Sequence, residues 1–145
     1  RSSDLEGTEM NIHLVDGTFD SAQQRRLLIE SSRCYSEVLG SPIDRVRIFV
    51  VPYSPAGVAV GGTVVTDGSE PAPYFTAIVL AGRPLRQRHE LLARFTDLCV
   101  EILGTPRKLV RGRIIEVQPE NWGIAGEAAS SVRAEEIVTR SESAL

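Results

Sequence analysis

The sequence predicts an α/β (α+β) domain built as a tandem βαβ repeat, with a four-stranded sheet carrying two helices on one face. Three observations point there. Residues 47–62, RIFVVPYSPAGVAVGG, and residues 111–127, RGRIIEVQPENWGIAGE, share one order: arginine, apolar strand, proline, spacer, then apolar and small residues around glycine. Each is preceded by a helical stripe closed by glycine and proline, at Gly40 and Pro42 and again at Gly104 and Pro106. Each stripe follows a short strand pattern ending at a glycine, Gly17 or Gly82. Repetition of a whole supersecondary unit fixes the architecture before any single element is assigned.

The first strand is read over Asn11–Val15, which alternates polar and apolar residues into the Asp16-Gly17 turn. Asp20, with Gln23 three residues on, offers a capping box to a helix whose apolar positions are Leu27, Leu28, Cys34, Tyr35, Val38 and Leu39. Residues 45–51 form a second strand, apolar almost without interruption from Ile48 to Val51, and so expected to be buried on both faces. A strand, helix and strand of this length require a parallel pair with a right-handed crossover. Residues 54–73, rich in Gly, Ser and Pro, join the halves, with a short hairpin expected around Gly61-Gly62. Those glycines are read as a turn, since no Lys-Ser/Thr follows to make a phosphate loop.

The second half restarts with a strand over Tyr74–Leu80 and a helix over 85–103, whose stripe is Leu91, Leu92, Phe95, Leu98, Cys99, Ile102 and Leu103. A fourth strand is expected over Leu109–Val117 and a short exposed helix over Ser130–Thr139. One domain, residues 10–129, therefore comprises repeat one (10–62), a joint (63–73) and repeat two (74–129), between an amino-terminal extension (1–9) and a tail (130–145). Matching the halves pairs Gly17 with Gly82 and Cys34 with Cys99 at an offset of 65, Arg47 with Arg113 at 66, and Pro52 with Pro119 at 67. On that matching the two cysteines mark one core position used twice. Helices on one side leave the other sheet face bare, so other subunits are expected to cover it.

Composition narrows the function. At 145 residues, with 42% hydrophobic and 24% charged, the chain suits one globular core. A net charge of -3 argues against general nucleic-acid binding, which needs a basic face. No apolar run reaches the ~20 residues of a membrane span and the first residues lack an apolar signal region, so a cytoplasmic location is expected. The two cysteines and the two histidines, His13 and His89, follow no metal-binding spacing, so no metal is expected.

The turn Leu80-Ala81-Gly82-Arg83, the segment Arg113-Ile114-Ile115 and above all residues 119–126, PENWGIAG, resemble the tautomerase superfamily. The likeness covers about residues 10–129. Two fused units are similar to the malonate semialdehyde decarboxylase and cis-3-chloroacrylic acid dehalogenase groups, or to a fused 4-oxalocrotonate tautomerase. The resemblance implies a homotrimer that handles small 2-oxo, enol or unsaturated carboxylic acids without a cofactor, using an amino-terminal proline for proton transfer. Here that position falls on Thr8 in the first half and on Pro73 in the second. An internal proline nitrogen is a tertiary amide with no proton and essentially no basicity. The resemblance makes Arg83 the carboxylate-binding arginine, with Thr18 in its place in the first half. Arg47 and Arg113 become the arginines heading the second strand of each unit, and Trp122 the aromatic wall, where the first half has Val58. Tyr35 falls near a polar helix position of the dehalogenase group, although its apolar spacing points to the core. A guanidinium grips a carboxylate bidentately and stabilises an enolate as charge develops. Two readings stay open: an enzyme with Arg83 and Arg113 as electrophiles and water or Tyr35 as base, or a trimeric binding or structural homologue.

Overall fold

The computed structural model describes residues 7–132. Strand β1 (Glu9–Val15) carries Met10, Ile12 and Leu14 at every second position, and all three are buried. That period places them on one face. Gly17 turns the chain at φ 83°, a left-handed conformation natural to glycine. Helix α1 (Ser21–Leu39) opens on the expected capping box: Gln23 N donates to Asp20 Oδ1 at 2.7 Å and Asp20 N to Gln23 Oε1 at 2.8 Å. Two otherwise orphaned N–H groups are thereby satisfied. Strand β2 (Arg47–Tyr53) follows, then the small hairpin β3 (Ala59–Val60) and β4 (Thr63–Val64). The hairpin carries repeat one slightly beyond Gly62.

The second repeat has the same parts: β5 (Tyr74–Leu80), α2 (Leu85–Leu103), β6 (Arg111–Val117) and the hairpin β7 (Gly123–Ile124) and β8 (Glu127–Ala128). A 3-10 turn over Arg107–Leu109 replaces the expected start of β6. The sheet order is β2-β1-β5-β6, parallel within each repeat and antiparallel where β1 meets β5. Both helices pack with Met10, Ile12, Leu14, Phe75, Ala77 and Val79 in one core. The residues between them in each strand face the other way.

The core is asymmetric where the repeat is not. Phe95 meets Tyr35 and Phe75 edge-on, with centroids 5.2 and 5.5 Å apart, a favoured geometry for aromatic pairs. Phe75 reaches so close to β6 that a Cβ on Gly112 would lie 2.1 Å from its ring. Gly112 is thus the space into which the large side chain fits.

The structure corrects the register between the repeats. Strands β1 and β5 lie 65 residues apart, but both helices and the strands after them lie 64 apart, because the first turn has one extra residue. At 64, the buried stripe Leu27, Ser31, Tyr35, Val38 superposes on Leu91, Phe95, Cys99, Ile102. Cys99 therefore matches Tyr35, not Cys34, and the cysteines are not one position used twice. Pro119 matches Pro55, each opening a 3-10 turn, and Arg47 matches Arg111 instead of Arg113. β2 is also not buried on both faces. It is an edge strand whose Phe49 is 48% exposed, because no helix covers that side within the protomer. Most of the helix expected over Ser130–Thr139 lies outside the described residues.

Candidate functional site

Antiparallel pairing of the two repeats brings the start of each to the far end of the other, and so creates two related ends of the sheet. At one end Thr8 precedes β1. It is buried, its hydroxyl donates to Arg45 O at 3.0 Å, and its carbonyl accepts from Arg47 N at 2.9 Å. Gly7 lies against Trp122 and Leu80; a Cβ there would be 3.2 Å from the indole. Trp122 is held by the hairpin, its carbonyl accepting from Ala129 N at 2.7 Å. Arg83, at the same end, is half-buried and donates to Leu39 O at 2.8 Å and Gln87 Oε1 at 3.2 Å. As a cation at the start of α2 it would sit badly against the helix dipole, but its guanidinium crosses to the carbonyl end of α1, where positive charge is favoured.

At the other end Pro73 precedes β5. It is buried, and its carbonyl accepts from Arg111 N at 3.1 Å. Thr18 stands where the first end has Arg83, its hydroxyl donating to Val15 O at 2.6 Å. A cleft of about 270 Å³ runs past Thr18, Glu70 and Pro73. Beside it, a second cleft of about 370 Å³ is lined by His13, Tyr53, Val58, Ala72 and Tyr74. His13 Nδ1 is 2.7 Å from Tyr53 Oη, and its ring stacks on Tyr74 with centroids 5.3 Å apart. Burial lowers the His13 pKa from the ordinary 6.5, which favours the neutral imidazole.

The sequence-predicted residues are divided between these ends. Arg83, Trp122 and Arg47 belong to the Thr8 end. Arg47 heads β2, with Nη1 donating to Asp44 O at 2.9 Å and Val46 O at 3.2 Å. Arg111 repeats that arrangement at the Pro73 end, through Lys108 O at 2.7 Å and Val110 O at 3.0 Å. Arg113 is exposed, two residues along β6, and is joined in the sheet register to Thr76. It does not share an end with Arg83 or Trp122. Seven-residue β5 separates Pro73 from Arg83 by about 20 Å, at the usual rise per residue. Any pocket holding both sets is composed from more than one copy of the chain.

Tyr35 leaves the site altogether. It is 0% exposed, with its hydroxyl 2.6 Å from Ile78 O and 3.0 Å from Glu9 O, and burial raises its pKa well above the tyrosine range. Such a group serves as neither base nor ligand contact. The thiols are equally removed from chemistry, since burial pushes Cys34 up to about 11 and Cys99 to about 12. Sequence reasoning neither brought His13, Tyr53 and Tyr74 together nor paired Arg111 with Arg47. The signal for Arg111 was its distance from Arg47, legible once the helix stripes are aligned; that for the aromatic trio lay in strand pairing.

Comparison with known proteins supplies the lineage. The tautomerase enzyme family model matches residues 73–131, beginning at Pro73. A 2-hydroxymuconate tautomerase of Comamonas testosteroni is 37% identical over 60 residues, covering 41% of this chain and 95% of that protein. Among solved structures, a native fused 4-OT is 26% identical with a TM-score of 0.80, covering 86% of this chain and 98% of the other. A fused 4-OT described as a wild-type symmetric trimer is 24% identical with a TM-score of 0.78 over the same shares. Nearly the whole of a single-unit relative fits within less than half of this chain, and the fold of the fused proteins spans both halves, so the chain belongs to the tautomerase superfamily as a fused member carrying two units.

Proposed function

We propose that the protein is a cofactor-independent isomerase of the tautomerase type, acting on a small 2-oxo, enol or unsaturated carboxylic acid in a homotrimer. The observation that carries this reading is the separation of Arg83 and Trp122 from Pro73 and Arg111 at opposite ends of β5. A second protomer is the simplest means of uniting them, and the open sheet face, with Phe49 exposed on the edge strand β2, supplies an apolar surface for it. In the united pocket, Arg83 of one copy and Arg111 or Arg113 of the next hold the carboxylate and offset enolate charge. Trp122 forms the wall, and Arg47 is the equivalent cation at the Thr8 end. Moving a proton from an enol oxygen to carbon needs no redox partner, and the arginine fork supplies the electrostatic part of the catalysis.

One observation favours the second reading, a binding homologue without chemistry. Thr8 is buried with its hydroxyl and carbonyl engaged, and Pro73 N is a tertiary amide nitrogen, so neither position offers a free amine in this chain. The experiment that separates the readings is ketonisation of 2-hydroxymuconate and phenylenolpyruvate, with light scattering on the same samples. Turnover by a trimer that is lost in Arg111→Ala supports the enzyme. A trimer that binds such acids without turning them over supports the binding protein, and a monomer at micromolar concentration overturns the assembly on which both rest.

A further inference from the structure

We propose that the cleft lined by His13, Tyr53, Val58, Ala72 and Tyr74 is a binding site for a small planar enol or 2-oxo acid, with His13 Nε2 as its proton acceptor. This deepens the reading above and rests on it. It names the base that the internal position of Pro73 leaves wanting.

The cleft is built from strand pairing. His13 on β1 is the register partner of Tyr74 on β5 and of Val51 on β2, and Tyr53 stands two residues beyond Val51 on the same face. The hairpin strand start, with Val58 and Ala59, closes one side, and Ala72 just before Pro73 closes another. Where the other end has the bulk of Trp122, this one has Val58, and the smaller side chain leaves about 370 Å³ open. That is room for a small acid. Stacking on Tyr74 fixes the imidazole plane, and the 2.7 Å contact with Tyr53 Oη engages Nδ1. Among the described residues Nε2 has no partner, so with Nδ1–H donating to Tyr53 the Nε2 lone pair is available to a ligand.

The groups facing His13 are consistent with a neutral base. Tyr53 from β2 and Tyr74 from β5 are the titratable ones; Arg111, one strand beyond Tyr74, is the cation, and Glu70 lines the adjoining cleft. Helices α1 and α2 lie on the opposite face of the sheet. Burial lowers the His13 pKa, so the base form persists to more acidic pH than for a free histidine. In the step proposed, Nε2 takes the enol O–H proton and the O–H electrons stay on oxygen as an enolate. As those electrons form the C=O bond, the enol π pair takes that proton at carbon from the imidazolium. One proton moves from oxygen to carbon and the imidazole is regenerated.

Two measurements test this on the full chain. The first labels histidine with ¹⁵N and titrates the stable diacid 2-oxoadipate. The chain has two histidines, and exposed His89 serves as the internal control. A saturable shift at His13 Nε2, absent at His89 and lost in Tyr74→Ala, is expected. No shift at His13, or equal shifts at both, overturns the site. The second follows ketonisation of 2-hydroxymuconate by parent and His13→Gln, a substitution on the half-exposed face that leaves the core intact. A fall in kcat of about 100-fold or more with little change in KM is expected, the usual contribution of a general base. The parent kcat should fall as pH drops through a value below 6.5. Parent turnover that is indifferent to His13→Gln overturns the base assignment alone; a parent without turnover overturns it together with the tautomerase reading.

Discussion

The two ends of the sheet are made from matching positions of one duplicated unit, yet the side chains at those positions mostly differ. The Thr8 end has Arg83 and Trp122; the Pro73 end has Thr18 and Val58, with the His13, Tyr53 and Tyr74 trio in the space that results. Fusion of two units removes the requirement that both copies of a position do the same work. One can then keep the arginine and tryptophan while the other opens a cleft. The same division runs through the core, where Phe75 and Phe95 in the second unit are matched by Met10 and Ser31 in the first.

Core substitutions should separate the two units most strongly. Phe75→Ala removes a fully buried ring packed on Phe95 and over Gly112, and should cost about 3–5 kcal/mol in chemical denaturation. Met10→Ala, at the equivalent place, leaves a smaller gap and should cost less. Arg83→Ala should lower stability by about 1.5–3 kcal/mol, the range for charge-assisted bonds to a carbonyl, because it uncovers the end of α1. Thr18→Ala, which removes a neutral bond to Val15 O, should cost about 1 kcal/mol. The helix starts should differ similarly: Asp20→Ala should cost about 1 kcal/mol, whereas α2, which begins at Pro84 with no side-chain cap, should lose little in Pro84→Ala.

The smallest effect concerns the thiols. Burial raises both folded pKa values above the ordinary 9.0, so the folded state favours the protonated form. Their contribution to stability is therefore complete below pH 9 and declines as pH rises from there towards 11–12. Native protein should resist thiol reagents at pH 8, and unfolded protein should label at both cysteines. Rapid native labelling would show that the site occupied by Cys34 or Cys99 opens without global unfolding.

Much of the fold was legible because its signals are local and doubled. The capping box at Asp20 and the stops at Gly40 and Gly104 each state a helix boundary, and α2 spans 85–103 as its apolar stripe indicates. What failed was alignment between the halves. Cys34 with Cys99 and Arg47 with Arg113 are attractive identities, but burial is set by the helical period, and only an offset of 64 superposes the buried stripes. The site was less legible, for a topological reason. Arg83, Arg113 and Trp122 belong to one unit's sequence, but α2 returns the chain along the sheet, so that Arg113 lies two residues into β6 and away from the end that holds the other two. His13, Tyr53 and Tyr74 come from three strands and meet only through pairing.

Whether Arg83 and Arg111, at opposite ends of one protomer, join in a pocket between copies as proposed is decided by complementation. Arg83→Ala and Arg111→Ala proteins, each inactive alone, are unfolded together and refolded as mixed trimers, with activity on 2-hydroxymuconate as the readout. Random mixing gives about one interface in four with both arginines intact, since each interface draws one half from each of two neighbouring chains. Recovery to about a quarter of parental activity is expected by that arithmetic. Mixed trimers that stay as inactive as the separate variants would contradict it.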